Sequence, residues 1–214
     1  MRSVNIKEHL KLSLIYTAVA ALPPVIQVLI QPVIEGSSRL NAADFAQIGM
    51  AEMVTSLAFT ISLFSMGNAI SRFFYDVNDD RKEYNNLVSS VYSSILFRGF
   101  ILLILAFVFR NYIGNLFSQE GLRNFSTYGF AAIITGINRS INISAATLYR
   151  NEKRVKAFII VNLATALVRT GFQLIGLFYF EMSFLGYVYG SAIGSSVVSA
   201  GVLIYSYRRC GFRY

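Results

Sequence analysis

The chain has 214 residues, 55% of them hydrophobic and only 14% charged, with a formal net charge of +8; its mean hydropathy is +0.53. A soluble domain carries about 25% charged residues, so a chain this apolar has too little polar surface to face water and points to a bilayer. One cysteine (Cys210) and one histidine (His9) exclude a disulfide framework and argue against a Cys/His metal site.

The first apolar run covers about 12–34, after Arg2, Lys7 and Lys11. Those cations resemble a signal-peptide n-region, and Ala18-Val19-Ala20 faintly resembles a cleavage site. The run continues to Ile34, which makes it an uncleaved first span. It holds every proline in the chain, Pro23, Pro24 and Pro32. Proline removes a backbone donor and clashes with the preceding turn, so this helix is expected to be bent or broken, with Pro23 and Pro24 as a candidate hinge. Five more runs follow at about 46–70, 87–108, 125–149, 157–180 and 184–206, each near the ~20 residues a membrane helix needs. The predicted fold is all-α and polytopic, a single unit of six transmembrane helices over 1–214. The short connections 150–156 and 181–183 require antiparallel neighbours.

Basic residues alternate across these runs. Arg2, Lys7 and Lys11 precede the first; Arg72, Arg81 and Lys82 lie in 71–86; Arg150, Lys153, Arg154 and Lys156 lie in 150–156; Arg208, Arg209 and Arg213 follow the last. The intervening loops hold only Arg39, Arg110 and Arg123. Thirteen cations against three place both termini in the cytoplasm, because positively charged loops stay on that side.

Three arginines, Arg98, Arg139 and Arg169, fall inside runs. A cation at the bilayer centre costs about 2.5–3.5 kcal/mol on insertion scales. Polar residues accompany them at helical spacing. These are Asn162, Thr165, Arg169 and Gln173 in the fifth run; Thr135, Asn138, Arg139, Asn142 and Tyr149 in the fourth; Ser94 and Arg98 in the third; Glu52, Thr55 and Ser56 in the second; and Tyr16, Pro23 and Gln27 in the first. Two readings follow. In one, helix carbonyls, amides and Glu52 satisfy the arginines in a static polar core. In the other they line a hydrated cationic lumen, with Arg98, Arg139, Arg169, Asn142, Asn162 and Gln173 as candidate substrate-binding residues. One carboxylate against three arginines leaves about two uncompensated charges, which favours the lumen. The guanidinium fork, bidentate and always charged, suits a phosphate-bearing head group.

Several stretches carry a family likeness: QPVI closing the first run, NAADFAQIGM entering the second, FSMGNAISRFFYD closing it, LYRNEKRVKAF between the fourth and fifth, and FLGYVYGSAIGSSVVSAGVLIY in the sixth. Their order resembles the N-terminal half of polysaccharide-transporter-type flippases, the O-antigen and capsule exporters of the multidrug/oligosaccharidyl-lipid/polysaccharide superfamily. The resemblance implies flipping of an isoprenoid-pyrophosphate-linked oligosaccharide across the bacterial inner membrane, in polysaccharide or lipopolysaccharide biosynthesis. It also implies two six-helix lobes around a central cavity with alternating access, and no cofactor. Glu52 is the candidate for ion coupling known in some relatives. The chain corresponds to one lobe, so a second copy or a separate second lobe is an expected partner, and a truncated inactive lobe is an alternative.

Other classes fare worse. No Ser/His/Asp set, paired intramembrane carboxylates or Gly-rich phosphate loop supports an enzyme, and nothing beyond the net charge suggests nucleic acid. Asp76, Asp79 and Asp80 could suggest a metal loop, but Arg81 and Lys82 share it. A voltage sensor needs its arginines on one helix. A non-transporting scaffold remains an alternative, as does a drug exporter of the same superfamily, which would favour acidic lumen residues. The patterns at Asn124, Asn138 and Asn142 that match a glycosylation acceptor are read as chance.

Overall fold

The computed structural model describes residues 6–36, 40–77, 80–117 and 120–210. Arg2, Arg39, Asp79 and Arg213, used in the charge and metal readings above, lie outside them. The described chain is helical: α1 (Ile6–Glu35), α2 (Ala42–Leu63), α3 (Met66–Val77), α4 (Arg81–Asn115), α5 (Glu120–Arg123), α6 (Phe125–Asn151), α7 (Val155–Phe178) and α8 (Ser183–Cys210). Among the described residues, five stretches are long and apolar enough to cross a membrane: Leu10–Glu35, Ala42–Val77, Arg81–Asn115, Val155–Phe178 and Ser183–Cys210. Their outer faces are oily. On α4, Phe97, Phe100, Phe107 and Val108 are all more than half exposed, an apolar belt far larger than a water-facing monomer tolerates.

Local chemistry sets the helix ends. Asn41 and Asp44 form a reciprocal capping box at the start of α2: the Asp44 amide donates to Asn41 Oδ1 at 3.0 Å and the Asn41 amide to Asp44 Oδ2 at 2.9 Å. Asp80 caps α4 by accepting from the amides of Lys82 (2.7 Å) and Glu83 (3.3 Å). That assigns a structural role to the last aspartate of the acidic loop.

Two sequence expectations change. The proline-rich first helix is not broken, because α1 is continuous through Pro23, Pro24 and Pro32. A membrane helix absorbs prolines when the freed backbone groups find other partners or the helix curves locally. The real interruption is in the second run, where α2 ends at Leu63 and α3 begins at Met66. Phe64 (φ 25°) and Ser65 (φ 63°) occupy the left-handed region there, which side-chain-bearing residues seldom enter.

The fourth run, expected as an apolar span, forms α6 over the expected range but is not among the five stretches of membrane-crossing composition. Its position explains why. α6 is the central helix, packed on α2, α3, α4, α7 and α8, with Thr135, Asn138, Ser140, Asn142 and Ser144 all buried. A helix surrounded by protein need not be oily all round. Gly136 lets α2 close in: a Cβ there would stand 2.5 Å from the Thr55 carbonyl oxygen. Thr55 Oγ1 then donates to the Ala132 carbonyl at 3.1 Å, and Ser140 Oγ to the Phe59 carbonyl at 3.1 Å.

One end of the bundle collects the basic segments. Arg209 Nη1 at the end of α8 donates to both Glu152 oxygens at 2.8 and 2.7 Å, the Tyr84 hydroxyl at the start of α4 donates to Glu152, and Arg154 Nη2 donates to the Tyr205 hydroxyl at 2.6 Å. These contacts bring the 71–86 and 150–156 connections and the end of α8 to the same side. At the opposite end, Ser183 hydrogen-bonds Asp44.

Candidate functional site: a cationic face at mid-helix depth

Arg139 is fourteen residues into α6 and Arg169 fourteen into α7, roughly 21 Å from either helix start at 1.5 Å per residue. Glu52 sits ten residues into α2, roughly 15 Å from its start at that rise. α2 and α7 carry the last two to one level. Arg169 Nη2 donates to Glu52 Oε1 at 2.5 Å, the side chains keeping 22% and 33% of their exposure respectively. Arg169 Nε is buried and without a hydrogen-bond partner. Arg139 is exposed, lays its guanidinium 4.7 Å above the Phe59 ring, and lies close enough to Arg169 and Glu52 to feel both charges.

The surrounding polar groups are held from helix to helix. Gln27 Nε2 of α1 donates to the Tyr187 hydroxyl of α8 at 3.0 Å, and Gln173 Nε2 of α7 donates to Ser191 Oγ of α8 at 2.6 Å. Gln173 is fully buried and its Oε1 has no donor. A cavity of about 10 Å³ beside Glu52, Thr55, Thr135, Tyr187 and Ser191 has room for about one water. The assembled site is therefore a half-open face: two arginines, one carboxylate, and a rim of amide and hydroxyl groups. Guanidinium forks presented in this way have the chemistry to engage an anion, by charge and by bidentate hydrogen bonds.

Of the sequence-predicted set, Arg139, Arg169, Glu52 and Gln173 come together. Asn142 does not reach that face. It is buried between α6 and α8, where its Oδ1 accepts from Ser199 Oγ at 3.2 Å and its Nδ2 is unpartnered. Neighbouring Asn138 Nδ2 donates to Ser195 Oγ at 3.3 Å and Ser196 Oγ at 2.8 Å. The α6 stripe thus meets α8 rather than water, and the signal for this is the serine series Ser195, Ser196 and Ser199. Asn162 turns back on its own helix, donating to the Phe158 carbonyl at 2.9 Å. Pro23 is half-buried and Pro24 exposed on α1, whose main packing neighbour is α7. Sequence reasoning passed over Tyr187, which joins Gln27 to this region.

Arg98 serves a different place. Its guanidinium stacks 5.2 Å from the Phe64 ring, and Nη1 reaches the Phe64 carbonyl at 3.5 Å. A cation at the carbonyl end of α2 complements the helix dipole and braces the left-handed break. Removing it by Arg98→Ala is expected to cost about 1–2 kcal/mol, the sum of a helix-end charge and a cation–π contact. Arg98→Lys is expected to recover part of that. Reversible unfolding in mixed micelles checks both, and a wild-type midpoint for Arg98→Ala would contradict the bracing role.

Helices of this length and apolarity, with lipid-facing aromatics and a polar interior seam, define an all-α, multi-pass membrane protein. Comparisons of the chain with family models, with curated proteins and with solved structures found no match.

Proposed function

We propose that the chain is one six-helix lobe of an exporter that flips an isoprenoid-pyrophosphate-linked oligosaccharide across the bacterial inner membrane. α6 is the sixth crossing helix, sheltered from lipid by its neighbours. The basic end faces the cytoplasm by the positive-inside rule, which puts both termini there. The observation that carries the reading is the half-open cluster of Arg139 and Arg169 against the single carboxylate of Glu52. A pyrophosphate entering this face competes with Glu52 for Arg169 and finds Arg139 beside it. The ion pair re-forms when the head group leaves, so Arg169 has an anionic partner in both states, while Arg139 rests on the Phe59 ring. A second lobe or second copy closes the face into a lumen, and the Pro23–Pro24 segment of α1 is the hinge candidate for alternating access.

The test is complementation of a bacterium lacking its polysaccharide flippase, with the chain expressed alone and with a second six-helix lobe. Restored surface polysaccharide, lost in Arg139→Gln and Arg169→Gln at matched membrane levels, is the expected result. Restoration unaffected by both substitutions sinks the cationic-lumen reading. The second reading, a static membrane scaffold, draws on the internal partners found for two of the three arginines: Glu52 for Arg169 and the α2 end for Arg98. A scaffold tolerates both glutamine substitutions wherever the fold survives.

A further inference from the structure

Two apolar grooves of similar size open on the sides of the bundle. One, about 470 Å³, lies between α2 and α4 and is lined by Leu57, Leu105 and Phe109 among others. The other, about 540 Å³, lies between α7 and α8. Both fall within the ~300–1,000 Å³ usual for small-molecule sites. Only the α7–α8 groove has cations lining it, Arg154 and Lys156.

We propose that the α7–α8 groove binds one anionic phospholipid from the leaflet at the basic end, with an acyl chain in the groove and the head-group phosphate on Arg154 and Lys156. The groove floor is made for a thin, unbranched chain: Ala157, Ala164 and Gly201 give it depth, while Ile160, Val168 and Val197 wall it. From Lys156 to Val168 is twelve residues, roughly 18 Å along α7. One leaflet of hydrocarbon is about 15 Å deep, half of a ~30 Å core. The groove therefore runs from the interface to about the bilayer centre, the reach of a phospholipid chain rather than of a long polyprenyl tail.

The charge at the mouth is in excess. Arg150, Lys153, Arg154, Lys156, Arg208 and Arg209 crowd this end. Glu152 is engaged by Arg209 at 2.7 Å and stands 3.6 Å from Arg154. Arg154 Nη2 is fixed by the Tyr205 hydroxyl at 2.6 Å and Nη1 is buried 3.6 Å from Glu152 Oε2, while the Arg154 side chain as a whole keeps 37% of its exposure. A phosphate oxygen at the groove mouth meets the exposed part of that guanidinium and the exposed Lys156. Basic pockets between membrane helices at a leaflet surface recognise anionic head groups in this way.

The chain contains no tryptophan, so one introduced tryptophan reports one place. Val197→Trp puts the reporter in the α7–α8 groove, and Leu105→Trp puts it in the uncharged groove; the parent residues are 52% and 47% exposed, so the larger ring has room. The full chain is reconstituted in bilayers containing phosphatidylglycerol or phosphatidylcholine with brominated acyl chains, and fluorescence quenching is followed against brominated mole fraction. Two interfacial cations give an expected preference for phosphatidylglycerol on the order of tenfold at Val197→Trp, and none at Leu105→Trp. Arg154→Gln with Lys156→Gln is expected to abolish the preference. Arg154→Lys, which keeps the charge, retains it, and Lys156→Gln alone reduces it without touching the Tyr205 contact. Equal quenching by the two lipids at Val197→Trp overturns the proposal, as does a preference that survives loss of both cations. Quenching relieved by polyprenyl phosphate but not by unbrominated phosphatidylglycerol overturns it in favour of an isoprenoid occupant.

Discussion

Glu52→Gln is expected to destabilise the bundle by about 1–3 kcal/mol, and the double variant Glu52→Gln/Arg169→Gln by clearly less than the two single changes together. The single change leaves the Arg169 guanidinium at mid-helix depth without its 2.5 Å partner, with Arg139 adding repulsion from the side. Breaking a fully buried pair costs about 3–5 kcal/mol, and an unpaired arginine at the bilayer centre about 2.5–3.5 kcal/mol. Here the side chains keep 22% and 33% of their exposure, so water and the rotamers of Arg169 recover part of either figure. The double variant removes both charges and leaves two amides of similar size that can hydrogen-bond each other. Unfolding midpoints of the four proteins in mixed micelles, combined as a double-mutant cycle, give the coupling. A coupling near zero would mean that the pair contributes nothing and that Arg169 is held by its surroundings. Complementation of the same four proteins separates fold from function. On the proposed function, the double variant is expected to accumulate in the membrane yet leave surface polysaccharide unrestored, because a cation proposed to receive the phosphate is gone.

How far the sequence could be read is clearest at α6. Its boundaries follow from the apolar run, and its buried stripe of Thr135, Asn138 and Asn142 follows from helical periodicity. What periodicity cannot tell is whether such a stripe meets water or another helix. The deciding residues lie on α8, more than fifty positions away, where Ser195, Ser196 and Ser199 provide the hydroxyl partners of Asn138 and Asn142. The same ambiguity governs the arginines. The count of three cations against one carboxylate is a property of composition, but the pairing of Glu52 with Arg169 and the posting of Arg98 at Phe64 depend on how α2, α4 and α7 pack. The break after Leu63 was hard to foresee for another reason. Phe64 and Ser65 are poor left-handed residues, and the nearby Gly67, the more natural breaker, lies inside α3. The prolines, by contrast, gave a strong local signal that the long, one-sidedly packed α1 overrides.

A glycine series in the last helix carries the second large expectation. Gly186, Gly190 and Gly194 recur every four residues and so share one face of α8. That face meets α7 backbone to backbone. An added Cβ would lie 2.3 Å from the Gly176 carbonyl oxygen at Gly186, 2.3 Å from the Phe172 carbonyl oxygen at Gly190, and 2.7 Å from the Arg169 Cα at Gly194. Close backbone approach through small residues is the main way membrane helices gain packing energy, since lipid offers them no hydrophobic drive to associate. The obstructing atoms are main chain, so no rotamer change relieves the clash and the helices must separate. Gly190→Val is expected to cost at least the 1–3 kcal/mol typical of overpacking a tight interior, and Gly186→Val a similar amount. Gly201→Ala, where an added Cβ meets nothing within 4 Å, is expected to be neutral. The consequence reaches the cationic face, because Gly194 packs on Arg169 itself and Gln173 bonds Ser191 one residue beyond Gly190. Spreading α7 from α8 therefore draws Arg169 away from Glu52. Cross-linking of a Glu52→Cys/Arg169→Cys protein by a short bifunctional reagent is expected to fall when Gly190→Val is added and to be unchanged by Gly201→Ala. Equal cross-linking in all three backgrounds would show that the α7–α8 seam does not set the position of the arginine.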